Sequence, residues 1–155
     1  MLKINDLTKN YGSFTAVNHL SLHIPEGELF GFVGPNGAGK TTTIRMLCCL
    51  SQPTSGEAIV CGHNTMTDSD EVKRVIGISP QDTAIAENLT IRENLELVAK
   101  IYGFTHDKVK AKTDEMIQLF GMDEVQNDRA KTLSGGWKRK LSIAMALISE
   151  PKVLF

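Results

Sequence analysis

Eight consecutive residues have the types and spacing to hold a polyphosphate. Gly34-Pro35-Asn36-Gly37-Ala38-Gly39-Lys40-Thr41 fits G-x-x-x-x-G-K-[ST] at every fixed position. Glycines let successive backbone N–H groups turn into one hollow with no Cβ in the way, which makes a nest for an anion. A helix starting at Lys40 adds the positive end of its dipole. Lys40 then offers a point charge to the β and γ phosphates, and Thr41 a hydroxyl to Mg2+. Asn36 and Thr42 are auxiliary contacts. The plainer alternative is a glycine turn between a strand and a helix. With glycine at about 7% of residues, a chance match in a chain of this length is on the order of one in a hundred or less, so nucleotide binding is the reading adopted.

The motif is expected between a strand and a helix, and the flanks read that way. Leu29-Phe30-Gly31-Phe32-Val33 is apolar without alternation, the pattern of a strand covered on both faces. A helix is predicted from about Lys40 to Leu50. Upstream, Met1 to Asn5 reads as a strand, and Leu20, Leu22 and Ile24 alternate with His19, Ser21 and His23 as a half-buried strand requires. Ile24-Pro25-Glu26-Gly27 is a turn, and Pro53-Thr54-Ser55-Gly56 ends the unit. Glu57 to Cys61 and Val75 to Ser79 are short strand candidates.

The second half is helical. Thr90-Ile91-Arg92-Glu93 is a capping box, opening a helix with Leu95, Val98, Ile101 and Tyr102 on one face. A second helix runs from about His106 to Phe120, striped by Val109, Met116, Ile117 and Phe120. A third follows Gly135-Gly136, with Leu141, Ala144, Leu147 and Ile148 at helical spacing, and Pro151 stops it. Val153-Leu154-Phe155 opens another apolar strand, and the sheet it belongs to reads as incomplete. Together these elements make an α/β core with a helical insertion.

Composition sets the outer limits. The 155 residues carry 17 Lys+Arg against 18 Asp+Glu, a formal charge of −1, so no general field for nucleic acid exists. Hydrophobic residues at 41% and charged ones at 23% are globular proportions, which excludes disorder and coiled coil. No apolar run reaches the ~18 residues of a membrane span, and the N-terminus has no signal-peptide pattern. Cys48, Cys49 and Cys61, odd in number with two adjacent, are no disulfide framework, and a reducing cytoplasmic setting fits them best. Cys48 and Cys49 read as small buried hydrophobes. His19, His23, His63 and His106 lack metal-ligand spacing.

A second glycine motif, Leu133-Ser134-Gly135-Gly136, stands before Lys138, Arg139 and Lys140. Three cations in a first helical turn oppose the macrodipole at a few tenths of a kcal/mol each, and such local violations concentrate at functional sites. They form either a solvated basic face or a second anion-binding helix start. Beside an upstream phosphate loop, the anion reading is the better one.

With Trp137 added, that motif resembles the signature of the nucleotide-binding domains of ATP-binding-cassette (ABC) transporters, and the resemblance runs from Met1 to Phe155. It implies a P-loop NTPase core: a mixed or parallel sheet with flanking helices, an N-terminal antiparallel β part and a helical subdomain. The implied layout is a single truncated domain, with a β-rich phosphate-loop core at 1–86, a helical signature subdomain at 87–150 and the start of a further strand at 151–155. Lys9-Asn10-Tyr11-Gly12 is similar to the family's aromatic loop, which assigns Tyr11 to adenine; unaided, such a tyrosine reads as packing. Ile78-Ser79-Pro80-Gln81 is similar to the glutamine loop, where Gln81 joins Thr41 at Mg2+; unaided, Gln81 is a polar residue after proline. Ser134, Gly135 and Gly136 would close over the γ-phosphate held by a second ATP-binding domain. ATP and Mg2+ are the implied cofactors, with transmembrane subunits as partners, no nucleic acid, and a place on the cytoplasmic face of the membrane.

Trp137 departs from the glutamine usual at that position and loses a side-chain hydrogen bond. The family's metal-binding Asp, water-activating Glu and switch His follow the strand opened by Val153-Leu154-Phe155, and the 155 residues do not include them. Lys40 is thus the one catalytic-site residue expected within them. The full-length protein is expected to be a transport ATPase of multidrug or lipid-exporter type, and the chain as given to bind MgATP but hydrolyse it poorly or not at all. The rivals are a translation-type ABC ATPase, which pairs two such domains, and a non-catalytic nucleotide-binding fragment. Chromosome-maintenance relatives are disfavoured, because no heptad tract separates the two glycine motifs.

Overall fold

In a computed structural model that describes residues 1–155, strand β1 (Leu2–Tyr11) turns through Gly12 into β2 (Phe14–Ile24), and the two pair antiparallel from Leu2↔Ile24 to Tyr11↔Phe14. The other edge of β1 takes β3 (Ser55–Val60), also antiparallel, and β4 (His63–Asn64) completes the order β2-β1-β3-β4. Along β2, Leu20, Leu22 and Ile24 are half-buried while His19, Ser21 and His23 are exposed, so the alternation holds. Helix α1 (Lys40–Leu47) buries Thr43, Met46 and Leu47. With Leu2, Ile4, Leu7, Val17, Ala58 and Val60 these form the core of a first compact unit, Met1–Ile76. Cys48 is buried directly after α1; burial, then the neighbouring Cys49, pushes its thiol pKa up to about 12. That removes it from thiolate chemistry.

Residues 29–33 do not form the predicted strand. They belong to neither sheet, Leu29 and Val33 are fully exposed, and Phe30 stacks edge-to-face on Phe32. An apolar run records a preference for burial, but a strand also needs a neighbour's backbone to bond, and no segment of the chain pairs with this one. Helix α2 (Ser69–Val75) was not expected, and the predicted Val75–Ser79 strand shrinks to β5 (Ile76–Gly77).

The second unit, Gly77–Phe155, is built on α3 (Ile91–Ile101), α4 (His106–Leu119) and α5 (Gly135–Leu147). Ile91, Leu95, Ala99, Val109, Met116, Ile117, Leu141, Ala144 and Ile148 form its core. Arg92 fastens the helices: its Nη2 donates to Asp114 and to Gln126, both at 2.7 Å. Strand β6 (Val153–Leu154) pairs with β5. Phe155 donates to Gly77 O at 2.9 Å and accepts from Ser79 N at 2.8 Å, the slanted pattern of parallel strands.

The capping box forms as expected: Glu93 N donates to Thr90 Oγ1 at 3.1 Å, and Thr90 N donates to Glu93 Oε2 at 2.8 Å. Those bonds from Thr90, backbone first, hold the Glu93 carboxyl below its ordinary 4.5. A carboxyl depressed by folding stabilises the fold above its unfolded pKa and loses that contribution as pH falls through the lower, folded value. Glu93→Gln should therefore flatten the fall in stability between about pH 5 and pH 3, since an amide keeps the cap without titrating. Denaturant midpoints across that range test this, and identical slopes for the two proteins would refute it. Thr90→Ala should cost about 1 kcal/mol at neutral pH.

Candidate nucleotide-binding site

Gly37 and Gly39 both hold left-handed φ, +85° and +83°. Gly39 is the N-cap of α1 and has no side chain with which to cap it. The first bond of the helix runs from Thr43 N to Gly39 O at 2.8 Å, so the N–H groups of Lys40, Thr41 and Thr42 precede any helical acceptor. Lys40 lies back along the loop, its Nζ donating to Gly34 O at 2.6 Å and to Pro35 O at 2.8 Å. Ala38 N closes a turn on Pro35 O at 3.3 Å, and Thr43 Oγ1 ties back to Gly39 O at 3.0 Å. Residues 34–38 and Thr41 are exposed, while Gly39, Lys40 and Thr42 are half-buried. An uncapped helix start, a glycine hollow and one amine bonded only to neutral carbonyls fit a polyphosphate: the donors converge and no carboxylate bonds the amine.

In the same unit, Tyr11 ends β1 with its ring half-exposed. Lys9 Nζ lies 5.0 Å from the ring centroid and donates to Gln52 O at 2.7 Å. A cation on one face holds such a ring by its quadrupole.

In the second unit, Gln81 is exposed at a bend after Pro80. Ser134 is the N-cap of α5, its Oγ accepting from Trp137 N at 3.5 Å, and Gly135 and Gly136 open the first turn exposed. Each member of the basic trio has a contact within the fold. Lys138 Nζ pairs with Glu87 at 3.0 Å, Arg139 Nη1 donates to Pro80 O at 2.6 Å, and Lys140 Nζ sits 4.4 Å over the Trp137 ring. The macrodipole penalty is thus offset by partners in the tertiary fold, with a carboxylate at Lys138 alone. Trp137 is half-buried and packs against the core of its unit.

Sequence reasoning passed over Asn94. It is fully buried, accepting from Ala86 N at 2.8 Å and donating to Ala86 O at 3.1 Å and Thr90 O at 2.8 Å. A polar residue on a helix with charged neighbours gave no sign of this.

Comparison with known proteins bears on the whole chain. The sequence profile of a family described as ABC transporter matches residues 17–155. The linearmycin resistance ATP-binding protein LnrL of Bacillus subtilis (strain 168) is 40% identical over 154 residues, 99% of this chain and 50% of that protein. The daunorubicin/doxorubicin resistance ATP-binding protein DrrA of Streptomyces peucetius is 38% identical over 154 residues, 99% of this chain and 47% of that protein. The chain thus spans about half the length of these two relatives. A dimeric ATP-binding cassette solved in a post-hydrolysis state with ADP and Pi is similar at a TM-score of 0.84 and 29% identity, over 99% of this chain and 72% of that one.

Proposed function

The chain belongs to the ABC transporter family, and from that premise we propose that it is the nucleotide-holding part of a transporter's ATP-binding subunit. Its fold is the P-loop NTPase fold of ABC cassettes, and ABC ATP-binding domains are ATPases in general. The observation that carries the reading is the uncapped start of α1, where Gly39 is the N-cap and Lys40 is bonded only to loop carbonyls. We assign the phosphates to Gly34, Pro35, Asn36, Gly37, Ala38, Gly39, Lys40, Thr41 and Thr42. Tyr11 is assigned to the adenine, Thr41 and Gln81 to Mg2+, and Ser134, Gly135 and Gly136 to the γ-phosphate of a second domain's ATP. Mg2+ supplies charge neutralisation across the phosphates; the chain's own part is to bind and orient them. Transmembrane subunits are the proposed partners, on the cytoplasmic face of a membrane, and no helix of this chain is long and apolar enough to cross one. Drug resistance in the names of both relatives supports the reading of a multidrug-type exporter.

Lys40→Ala should weaken ATP binding by about ten- to a hundredfold, the worth of charge-assisted bonds to phosphate. The fold should persist, because the bonds lost are to exposed loop carbonyls. Calorimetric titration with ATP decides the matter, and an unchanged affinity would overturn the assignment. Polypeptide 1–155 by itself should bind MgATP with little turnover; a Lys40-dependent hydrolysis rate like that of complete ATPases would contradict this.

A further inference from the structure

Three contacts join one side of α5 to residues 79–87. Ser142 Oγ lies 3.1 Å from Ser79 Oγ, Arg139 Nη1 donates to Pro80 O at 2.6 Å, and Lys138 Nζ pairs with Glu87 Oε1 at 3.0 Å. Ser142 stands three residues from Arg139 and four from Lys138, so the three share a side of the helix. At the far end of the segment, buried Asn94 grips Ala86 through both its N–H and its C=O, and Lys131 N donates to Glu87 O at 2.9 Å. Residues 81–85 are therefore a short span pinned at both ends, with exposed Gln81 at its beginning.

The Arg139 bond bears most directly on Gln81. The Pro80 carbonyl and the Gln81 nitrogen belong to one peptide plane, so holding that oxygen sets the plane from which Gln81 departs. Proline fixes the φ just before it, and the donor is a guanidinium, whose bond to a carbonyl is stronger than a neutral one. Arg139 itself stands three residues past Gly136 on the helix that Ser134 caps. We propose that Arg139 is a positioning residue for Gln81, holding it ready for the metal–nucleotide complex and linking its place to that of the Ser134-Gly135-Gly136 turn. The proposal rests on the assignment of Gln81 to Mg2+ made above.

The test titrates Mg2+ against ATP binding in the purified protein, for wild type, Arg139→Met, Arg139→Lys, Gln81→Ala and the Arg139→Met/Gln81→Ala double variant. ATP affinity without metal and thermal melting are followed alongside. Arg139→Met should raise the half-saturating Mg2+ concentration by about three- to tenfold. Arg139→Lys should recover part of this, metal-free ATP affinity should not move, and Arg139→Met should add nothing once Gln81 is gone. A normal Mg2+ requirement in Arg139→Met beside a raised one in Gln81→Ala overturns the role of Arg139 alone. A normal requirement in Gln81→Ala removes the Gln81 assignment, and this proposal with it. Equal losses of metal-free and Mg2+-dependent binding in Arg139→Met make the arginine a general support and also overturn it. If Arg139→Met does not fold, Arg139→Lys carries the comparison: a requirement raised with metal-free affinity intact supports the proposal, and an unchanged one overturns it.

Discussion

Gly39→Ala should abolish ATP binding, with affinity falling by more than about a hundredfold and about 2–4 kcal/mol of stability lost. Two costs combine at this position. A φ of +83° is left-handed backbone, worth about 1–2 kcal/mol against any residue with a Cβ. A Cβ there would also run into the backbone oxygen of Ala16 and come within 3.1 Å of Val17 Cγ2. Neither neighbour yields cheaply, because both lie in β2 and Val17 is buried. The loop must move instead, and the N–H groups that open α1 turn with it. Gly37→Ala is the internal control: its φ is +85°, yet a Cβ there meets open space. It should pay the conformational cost alone, about 1–2 kcal/mol, and keep measurable binding. Calorimetry with ATP and denaturant unfolding on both variants separate the two costs. Wild-type-like affinity in Gly39→Ala would show that the loop's close seat against β2 does not set its binding geometry.

What could be read from the sequence was local. The phosphate loop is eight contiguous residues, and the capping box is Thr90 and Glu93 three apart, so both declare themselves without knowledge of the rest of the fold. Helix α2 was also legible and was missed: Asp70 and Glu71 stand in its first turn and Lys73 and Arg74 in its last, the charge order the macrodipole favours. What a local reading does not reach is the relation between distant residues. Lys138 meets Glu87 across 51 positions and Arg139 meets Pro80 across 59. No local pattern announces those partners, so the cost of three cations at a helix start cannot be weighed from the sequence. Leu29–Val33 fails in the converse way: its apolar character is plain, but strand formation depends on a neighbouring backbone that no local pattern encodes.

Asn94→Leu is the substitution expected to damage the second unit most. Leucine has the same branched skeleton and is bulkier, so no cavity forms, and apolar burial taken alone would favour leucine. The hydrogen bonds decide against it. With the amide gone, Ala86 N loses its acceptor around a side chain with no solvent exposure, while the carbonyls of Ala86 and Thr90 each lose one of two donors and keep the backbone bonds from Leu89 N and Asn94 N. The one buried N–H left unpaired costs about 1–3 kcal/mol, and with the lost carbonyl bonds set against the apolar gain a total of about 1–3 kcal/mol is expected. Asn94→Asp sharpens the test. A carboxylate keeps an acceptor for Ala86 N but faces two carbonyls it cannot donate to, and burial penalises its charge. Its neutral form regains one donor, so this variant should become less destabilised relative to wild type as pH is lowered from about 7 to about 5. Asn94→Leu has nothing to titrate and should keep a constant deficit over the same range. Denaturant unfolding at several pH values distinguishes the two. Parallel curves would mean that the segment ahead of α3 is held by packing of Ile85 and its neighbours rather than by the amide.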